Sequence, residues 1–409
     1  MKILNIAVIG AGASGITAAI QSATMFEKSK TDYEITVFEH LSKAAKKILV
    51  TGNGRCNFTN TDITPLHYHG NTELIENVLN SNYSDIKCFF ENAGVLTYCE
   101  DGRIYPRSQQ AVSVRNALLN EVSHKKINIL TDCKIDTVKT EKNKFLIDGK
   151  VFDALIFACG GISSKSQGTD GSAYPLIKSF GHTFTELKPS LTAFTSNDKD
   201  LKELKGIRVK GRLSLFCKNE LLGFNNGEIQ FTEKTVSGIP AFQLSYLYKK
   251  DGCYVNIDAI EDINEKEITE HFLNIKTKKQ YTDIETALSG ILPEKLGYVI
   301  INRAKIKPRT PLKDLSVSDF LKIAFTAKNL KFELSGTRAF EDSQISAGGL
   351  NTKEIDTKTL MSLKKDGVFF CGEVLDVNGD CGGYNLHFAF TSGRIAGKSV
   401  YEYLTKKEL

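Results

Sequence analysis

"ILNIAVIGAGASGITAAIQSA", residues 3–23, decides the fold. A mostly apolar run reads as a strand; it stops at Gly10 and gives way to small residues that suit a closely packed helix. Gly10, Gly12 and Gly15 complete a G-x-G-x-x-G between that strand and that helix, the context in which the pattern has meaning. Gly10 is expected to make the tight turn, Gly12 to let backbone approach a pyrophosphate, and Gly15 to let the helix pack on the strand. Ala13, Ser14 and Gly15 open the helix, so their N–H groups and the positive end of its dipole face the same phosphates.

The next strand, "YEITVFEH" at residues 33–40, ends in Glu39 with His40 beside it. Roughly 20 residues past the glycines, a carboxylate accepts the ribose hydroxyls of an adenosine and disfavours a 2′-phosphate. FAD or NAD is therefore expected, not NADP. Further on, residues 118–150 read as strand and turn, a small antiparallel meander, and "VFDALIFACGG" returns as an apolar strand running into Gly160 and Gly161. From Pro189 the chain changes to short β-branched segments between Gly, Asn and Asp, then to Lys/Glu/Leu-rich helical spacing. The expected architecture is α/β: a discontinuous Rossmann-like FAD-binding domain from 1–188 and 336–409, an inserted β-barrel over 189–262, and a small helical domain over 263–335.

Composition narrows the function. Apolar residues make up 41% and charged residues 25%, the profile of an ordinary globular protein, and 409 residues suit two or three domains. A net charge of +5 over that length is too dilute for a nucleic-acid binder, so none is expected as a partner. The first apolar run breaks at Gly10 with no small-residue cleavage site behind it, so it reads as a strand and not a signal peptide, and no run of about 18 apolar residues marks a membrane span. A cytoplasmic protein is expected. The nine cysteines are scattered, without a C-x-x-C or zinc spacing; they read as reduced and mostly buried, and no metal site is expected.

"VFFCGEVLDVNGDCGGYNLHFAFTSGRIAG", residues 368–397, repeats the opening logic: apolar strand, glycine-rich stretch, helix. A flavin wants a carboxylate for its ribityl chain and a helix N-terminus for its N1/C2=O edge. Glu373 after Gly372 suits the first role, and Gly382 to Leu386, with Gly383, Tyr384 and Asn385, the second. Two such ends argue non-covalent FAD rather than NAD.

Six stretches now carry a resemblance: "KKILVTGNGRCNFTN", "EDGRIYPRSQQA", "FACGGISSKSQGTDGSAYPLIKSFGHT", "LKPSLTAF", "GEIQFTEKTVSGIPAFQLS" and "CGEVLDVNGDCGGYNLHFAFTSGRIAG". In this order they resemble the bacterial NAD(P)/FAD-dependent oxidoreductases of the BaiN type, an aminoacetone-oxidase-like family. The resemblance covers nearly the whole chain. It implies an FAD domain interrupted by a β-barrel and a helical domain, and it places Gly52, Gly54, Arg55, Cys56 and Asn57 in the cofactor shell, with Ile135 beside the adenine. Lys46, Lys47 and Arg55 would offer positive charge to the two phosphates. Cys56, with no partner cysteine near it in sequence, reads as packing.

The catalytic group is undetermined, because flavin carries the difficult chemistry. Tyr384, His387, Arg103 and Tyr105 are the candidates; His67 and His69 lack acidic partners at ligand spacing. The function expected is hydride transfer through flavin N5 to or from a small or medium apolar substrate. Reduction of an unsaturated carbonyl, with NAD(P)H docking transiently as donor, leads. A flavin amine oxidase, an RNA-modifying protein and a flavin sensor are the alternatives, and the oligomeric state is undetermined.

Overall fold

The structure, a computed structural model, describes residues 3–406. It divides into two compact units, Met1–Lys188 with Ile345–Leu409, and Pro189–Gln344.

In the first unit, β1 (Leu4–Ile9) leads through α1 (Ala13–Ser29) to β2 (Tyr33–Phe38), and β1 and β2 pair in parallel with Ile6 opposite Ile35 and Ile9 opposite Phe38. α2 (Ala111–His124) follows, then β3 (Asn128–Leu130) and β4 (Ala154–Phe157). The expected meander is thus divided. Val114, Leu118 and Val122 recur every fourth residue and bury one face of α2, which makes that stretch a helix. β3 joins the main sheet beside β2, and only residues 139–152 form the antiparallel meander.

The second unit also differs from expectation, because β-rich and helical segments share one core. β5 (Arg208–Cys217) and β6 (Glu220–Phe231) form a long hairpin whose turn residues Lys218 and Asn219 both have positive φ, 50° and 65°, as a two-residue turn matched to strand twist requires. β7 (Cys253–Asp258) pairs on the other side of β5. Two of the helices that follow, α3 (Glu265–Lys278) and α4 (Val317–Lys328), each start at a capping box, Asn264 with Glu267 and Ser316 with Asp319. Phe272 of α3 stacks on Phe320 of α4 at 5.5 Å, in the same buried cluster as the sheet residues Phe231 and Phe332. After α4 the chain re-enters the seven-stranded sheet through β8 (Leu330–Glu333), beside β7, and through Gly336–Thr337, beside Phe194–Thr195. The unit therefore extends to Gln344, past the expected end at 335, and sheet and helices form one body.

The chain then returns to the first unit. β9 (Val368–Phe370) completes a five-stranded parallel sheet in the order β9-β4-β1-β2-β3, and α5 (Tyr384–Lys406) lies along α1. That packing is close because small residues face each other. A Cβ on Gly393 would stand 2.4 Å from the Ser14 carbonyl oxygen, one on Gly397 2.3 Å from that of Ala18, and Ser22 Oγ donates to Gly397 O at 2.9 Å. Both ends of the chain thereby meet at the carboxyl ends of β1 and β4, where doubly wound folds bind ligands.

Candidate cofactor and active site

The three glycines after β1 do different things. Gly10, at φ +106°, could not carry a Cβ, which would lie 2.4 Å from Ala158 O; one on Gly15 would lie 1.9 Å from Gly10 O. Both are demanded by the protein's own packing. Around Gly12 a Cβ would meet nothing within 4 Å, and Gly12 caps α1 with no side-chain hydrogen bond and no acid in the first turn. The start of α1, with Ala13 and Ser14, thus presents N–H groups at an open, uncapped surface, the arrangement a pyrophosphate fits.

Glu39 is buried directly beneath this loop. Its Oε2 accepts from Ala11 N at 3.0 Å and its Oε1 from Leu41 N at 2.9 Å, with His40 Nδ1 3.3 Å away. A carboxylate has about four lone-pair sites, so two remain for ribose hydroxyls. The irregular segment after β3, which carries Ile135, is fastened to the same place, Cys133 N donating to Glu39 O at 2.9 Å and Asp132 N to Leu41 O at 3.0 Å.

From the other side come the C-terminal glycines. A Cβ on Gly372 would stand 2.3 Å from Ser14 Oγ, and one on Gly161 2.6 Å from Glu373 Oε1; Gly160, at φ +73°, abuts Thr169. Glu373 Oε1 accepts from Ser346 N at 3.0 Å, and its Oε2 pairs with Lys47 Nζ at 2.7 Å. The cations expected to meet phosphates therefore have protein partners. Lys47 holds Glu373, Lys46 donates to Ser166 O at 2.6 Å, and Arg55 pairs with Glu100 at 3.2 Å while lying 4.5 Å over the Tyr105 ring. The reason is that Glu373 and Glu100, far off in sequence, fold to within reach.

Just before "KKILVTGNGRCNFTN", residues 46–60, Ala45 N donates to Ala11 O of the glycine loop at 2.8 Å, and the stretch ends against the turn before α5. Gly52, Asn53, Gly54 and Cys56 all have positive φ there. A Cβ on Gly383 would lie 2.5 Å from Asn57 Oδ1 and 2.6 Å from Thr59 O, so the two motifs are in van der Waals register. Asn57 Oδ1 is buried without a hydrogen-bond partner, a polar atom awaiting a donor. Asn385 instead closes its own turn, accepting from Gly379 N at 2.7 Å and donating to Gly379 O at 2.8 Å, while Leu386 packs against the core. Cys56 is fully buried, and its thiol is pushed up to about 12 by that burial.

Of the catalytic candidates, Tyr105 stacks on Tyr98 at 5.6 Å and accepts from Arg55, a supporting position. His387 shares a hydrogen bond of 2.8 Å with Thr59 Oγ1, and burial pushes it down to about 4; it is neutral at pH 7, and its buried Nε2 has no partner. Tyr384 begins α5 with its hydroxyl pushed up to about 12, chiefly by burial, while the Arg103 charge acts in the opposite direction. Arg103 sits opposite Asn60 in a strand pair, and Asn60 Nδ2 holds Gly382 O at 2.9 Å. Among the described residues, Arg103 has no carboxylate at ion-pair distance.

Sequence reasoning passed over a cluster here. The His67 ring stacks on Tyr384 at 4.3 Å; its Nδ1 meets Asp380 Oδ2 at 3.1 Å and its Nε2 Asp62 Oδ2 at 3.0 Å, while His69 Nε2 reaches Asp380 Oδ1 at 3.2 Å. Burial opposes the charge on His67, but the two carboxylates outweigh it and raise the imidazole above its ordinary value. Asp62, five residues from His67, was the one signal in the sequence. Among the described residues no group of three His, Cys, Asp or Glu could hold a metal ion, and no helix is long and apolar enough to cross a membrane.

Residues 4–399 match the family described as "HI0933-like protein Rossmann domain". The chain is 35% identical to a 3-dehydro-bile acid delta(4,6)-reductase of Clostridium scindens, over 97% of this chain and 99% of that protein. It is 29% identical to a ribosomal RNA dihydrouridine synthase of Haemophilus influenzae, over 96% and 97%. Among solved structures it resembles the 3-ketosteroid delta1-dehydrogenase of Sterolibacterium denitrificans with a TM-score of 0.51 and 11% identity, covering 98% of this chain and 100% of that one, a likeness of fold. The chain belongs to the HI0933-like Rossmann family, and it is an oxidoreductase on the Rossmann-like FAD-binding fold.

Proposed function

As a member of that family, we propose, the protein reduces a carbon–carbon double bond conjugated to a carbonyl in a small or medium apolar molecule, with FAD bound non-covalently and NAD(P)H as the transient donor. Gly12, Ala13 and Ser14 would receive the pyrophosphate on backbone N–H groups, Glu39 the adenosine ribose, and Glu373, held by Lys47, the ribityl chain. The N-terminus of α5, behind Gly382 and Gly383, would face the electron-rich edge of the ring, and Asn57 Oδ1 would gain a donor. FAD, when bound, supplies a ring that takes up and gives up hydride at N5.

The observation that carries the reading is Tyr384. Saturating a conjugated double bond needs a proton at the carbon next to the carbonyl, so the donor must be protonated at neutral pH and able to give its proton up in the transition state. A tyrosine hydroxyl held well above neutrality meets the first condition. The Arg103 cation meets the second by favouring the phenolate that remains, and, having no carboxylate partner among the described residues, it is also available to a substrate oxygen. Both relatives are named for reactions that saturate such a bond, one in a bile acid, one in RNA. The small molecule is favoured because the bile-acid reductase is the more similar of these two relatives, at 35% against 29% identity.

The test is anaerobic turnover by the holoenzyme with NADPH or NADH, offering a 3-keto-4,6-diene steroid in one arm and uridine-containing ribosomal RNA in the other. Consumption of the steroid, slowed at least 100-fold in Tyr384→Phe with unchanged flavin content, supports the reading. Dihydrouridine formation with no steroid turnover would replace it with the RNA reaction, and reduction by a small amine instead of NAD(P)H would make the protein an amine oxidase.

A further inference from the structure

In the second unit, Cys217 at the end of β5 stands directly opposite Cys253 at the start of β7 in an antiparallel pair. The neighbouring pair is the hydrogen-bonded one, Lys218 N donating to Gly252 O at 2.9 Å. Cys217 and Cys253 therefore occupy a non-hydrogen-bonded site, where Cα atoms stand about 4.5 Å apart and both side chains leave the sheet on the same face. A disulfide spans Cα separations of about 4.4–6.8 Å, so no strand has to move. The sulfurs also turn to one short loop, Cys217 Sγ donating to Asp251 O at 3.2 Å and Cys253 Sγ to Lys249 O at 2.6 Å.

We propose that Cys217 and Cys253 are a dithiol modification site that closes to a reversible intramolecular disulfide when the chain meets a small-molecule disulfide oxidant. One cysteine, as thiolate, attacks a sulfur of the oxidant; a mixed disulfide forms and one oxidant thiolate leaves. The second cysteine loses its proton and attacks the protein sulfur of that mixed disulfide, forming the Cys217–Cys253 bond and expelling the other oxidant thiolate. The two cysteines lose two electrons and two protons, and the oxidant is reduced to two thiols. Burial pushes the Cys253 thiol up to about 11, so closure runs through a minor thiolate fraction and accelerates about tenfold per pH unit around neutrality. Nothing in this site depends on the proposed reductase activity.

The experiment treats the folded, full-length protein with oxidised glutathione at pH 8, traps remaining thiols with N-ethylmaleimide, and maps peptides by mass. The expected result is a peptide pair joined through Cys217 and Cys253, lighter than its parts by two hydrogens, reversed by dithiothreitol and missing from Cys217→Ser and from Cys253→Ser. Glutathione adducts on the exposed Cys88 and Cys99, with Cys217 and Cys253 both still alkylated after unfolding, would show that the oxidant reached the chain and would overturn the proposal.

Discussion

The glycine loop at Gly10–Gly15 and the turn at Gly379–Leu386 both lead from a strand into a helix, yet they are built on different physics. In the first, each feature is local or one strand away: Gly10 against Ala158, Gly15 against Gly10, Glu39 against Ala11. In the second, the turn is held by residues more than 300 positions earlier, Asn60 on Gly382, His67 and His69 on Asp380, Thr59 on His387. The first is shaped mainly by close steric contacts of its own glycines; the second is held by side-chain hydrogen bonds from far along the chain. Breaking each should therefore look different.

The largest effect should come from Gly15→Ala, whose methyl would collide with Gly10 O at 1.9 Å. Apo-protein stability should fall by about 1–3 kcal/mol or more, and flavin binding with it. Gly12→Ala is the contrast: its methyl meets no protein atom within 4 Å, so the apo melting temperature should stay as in the wild type while bound flavin falls. Equal losses of stability in both variants would erase the distinction between packing and ligand glycines.

The assembled turn should be sensitive to acid. His387 falls from 6.5 to about 4 on folding, so the unfolded chain binds the extra proton between those values. The stabilisation is complete above about pH 6.5 and is lost as pH falls through 4, by about 3 kcal/mol at 1.36 kcal/mol per pH unit. Urea midpoints of wild type and His387→Gln across pH 4–7 should show that slope in the wild type alone.

His67 has the opposite sign and a smaller effect. Its folded value is raised, so its contribution is fully present below the ordinary histidine value and fades as pH rises through the folded one. The stability gap between wild type and His67→Gln should close from pH 6 to pH 9. A gap that widens would mean that Asp62 and Asp380 do not hold a charged ring. Smallest of all should be Arg55→Ala, which removes a surface pair with Glu100 and should leave flavin occupancy unchanged.

What could be read from the sequence follows this same division. The strand, the three glycines and Glu39 were legible because their constraints act within a βαβ unit. The return of the C-terminus was legible because a second glycine-rich turn follows an apolar strand. The partners of Lys47 and Arg55 were not legible, since Glu373 and Glu100 reach them only through the fold. His67 was passed over because metal-ligand spacing was the test applied, whereas its carboxylates come from Asp62 and from Asp380 across the fold. The division of the insert into two domains failed for a similar reason: periodicity reveals strands and helices, but not that Phe272 and Phe320 join the core of the sheet.

The most direct test of the central claim, that both ends of the chain build one FAD site, is the visible absorption spectrum of the purified protein beside Glu39→Ala, each incubated with excess FAD and desalted. The account predicts protein-bound flavin bands in the wild type that bleach anaerobically with NADPH or NADH, and their loss in Glu39→Ala. A wild-type protein that retains no flavin, or a Glu39→Ala protein that retains all of it, would contradict the account.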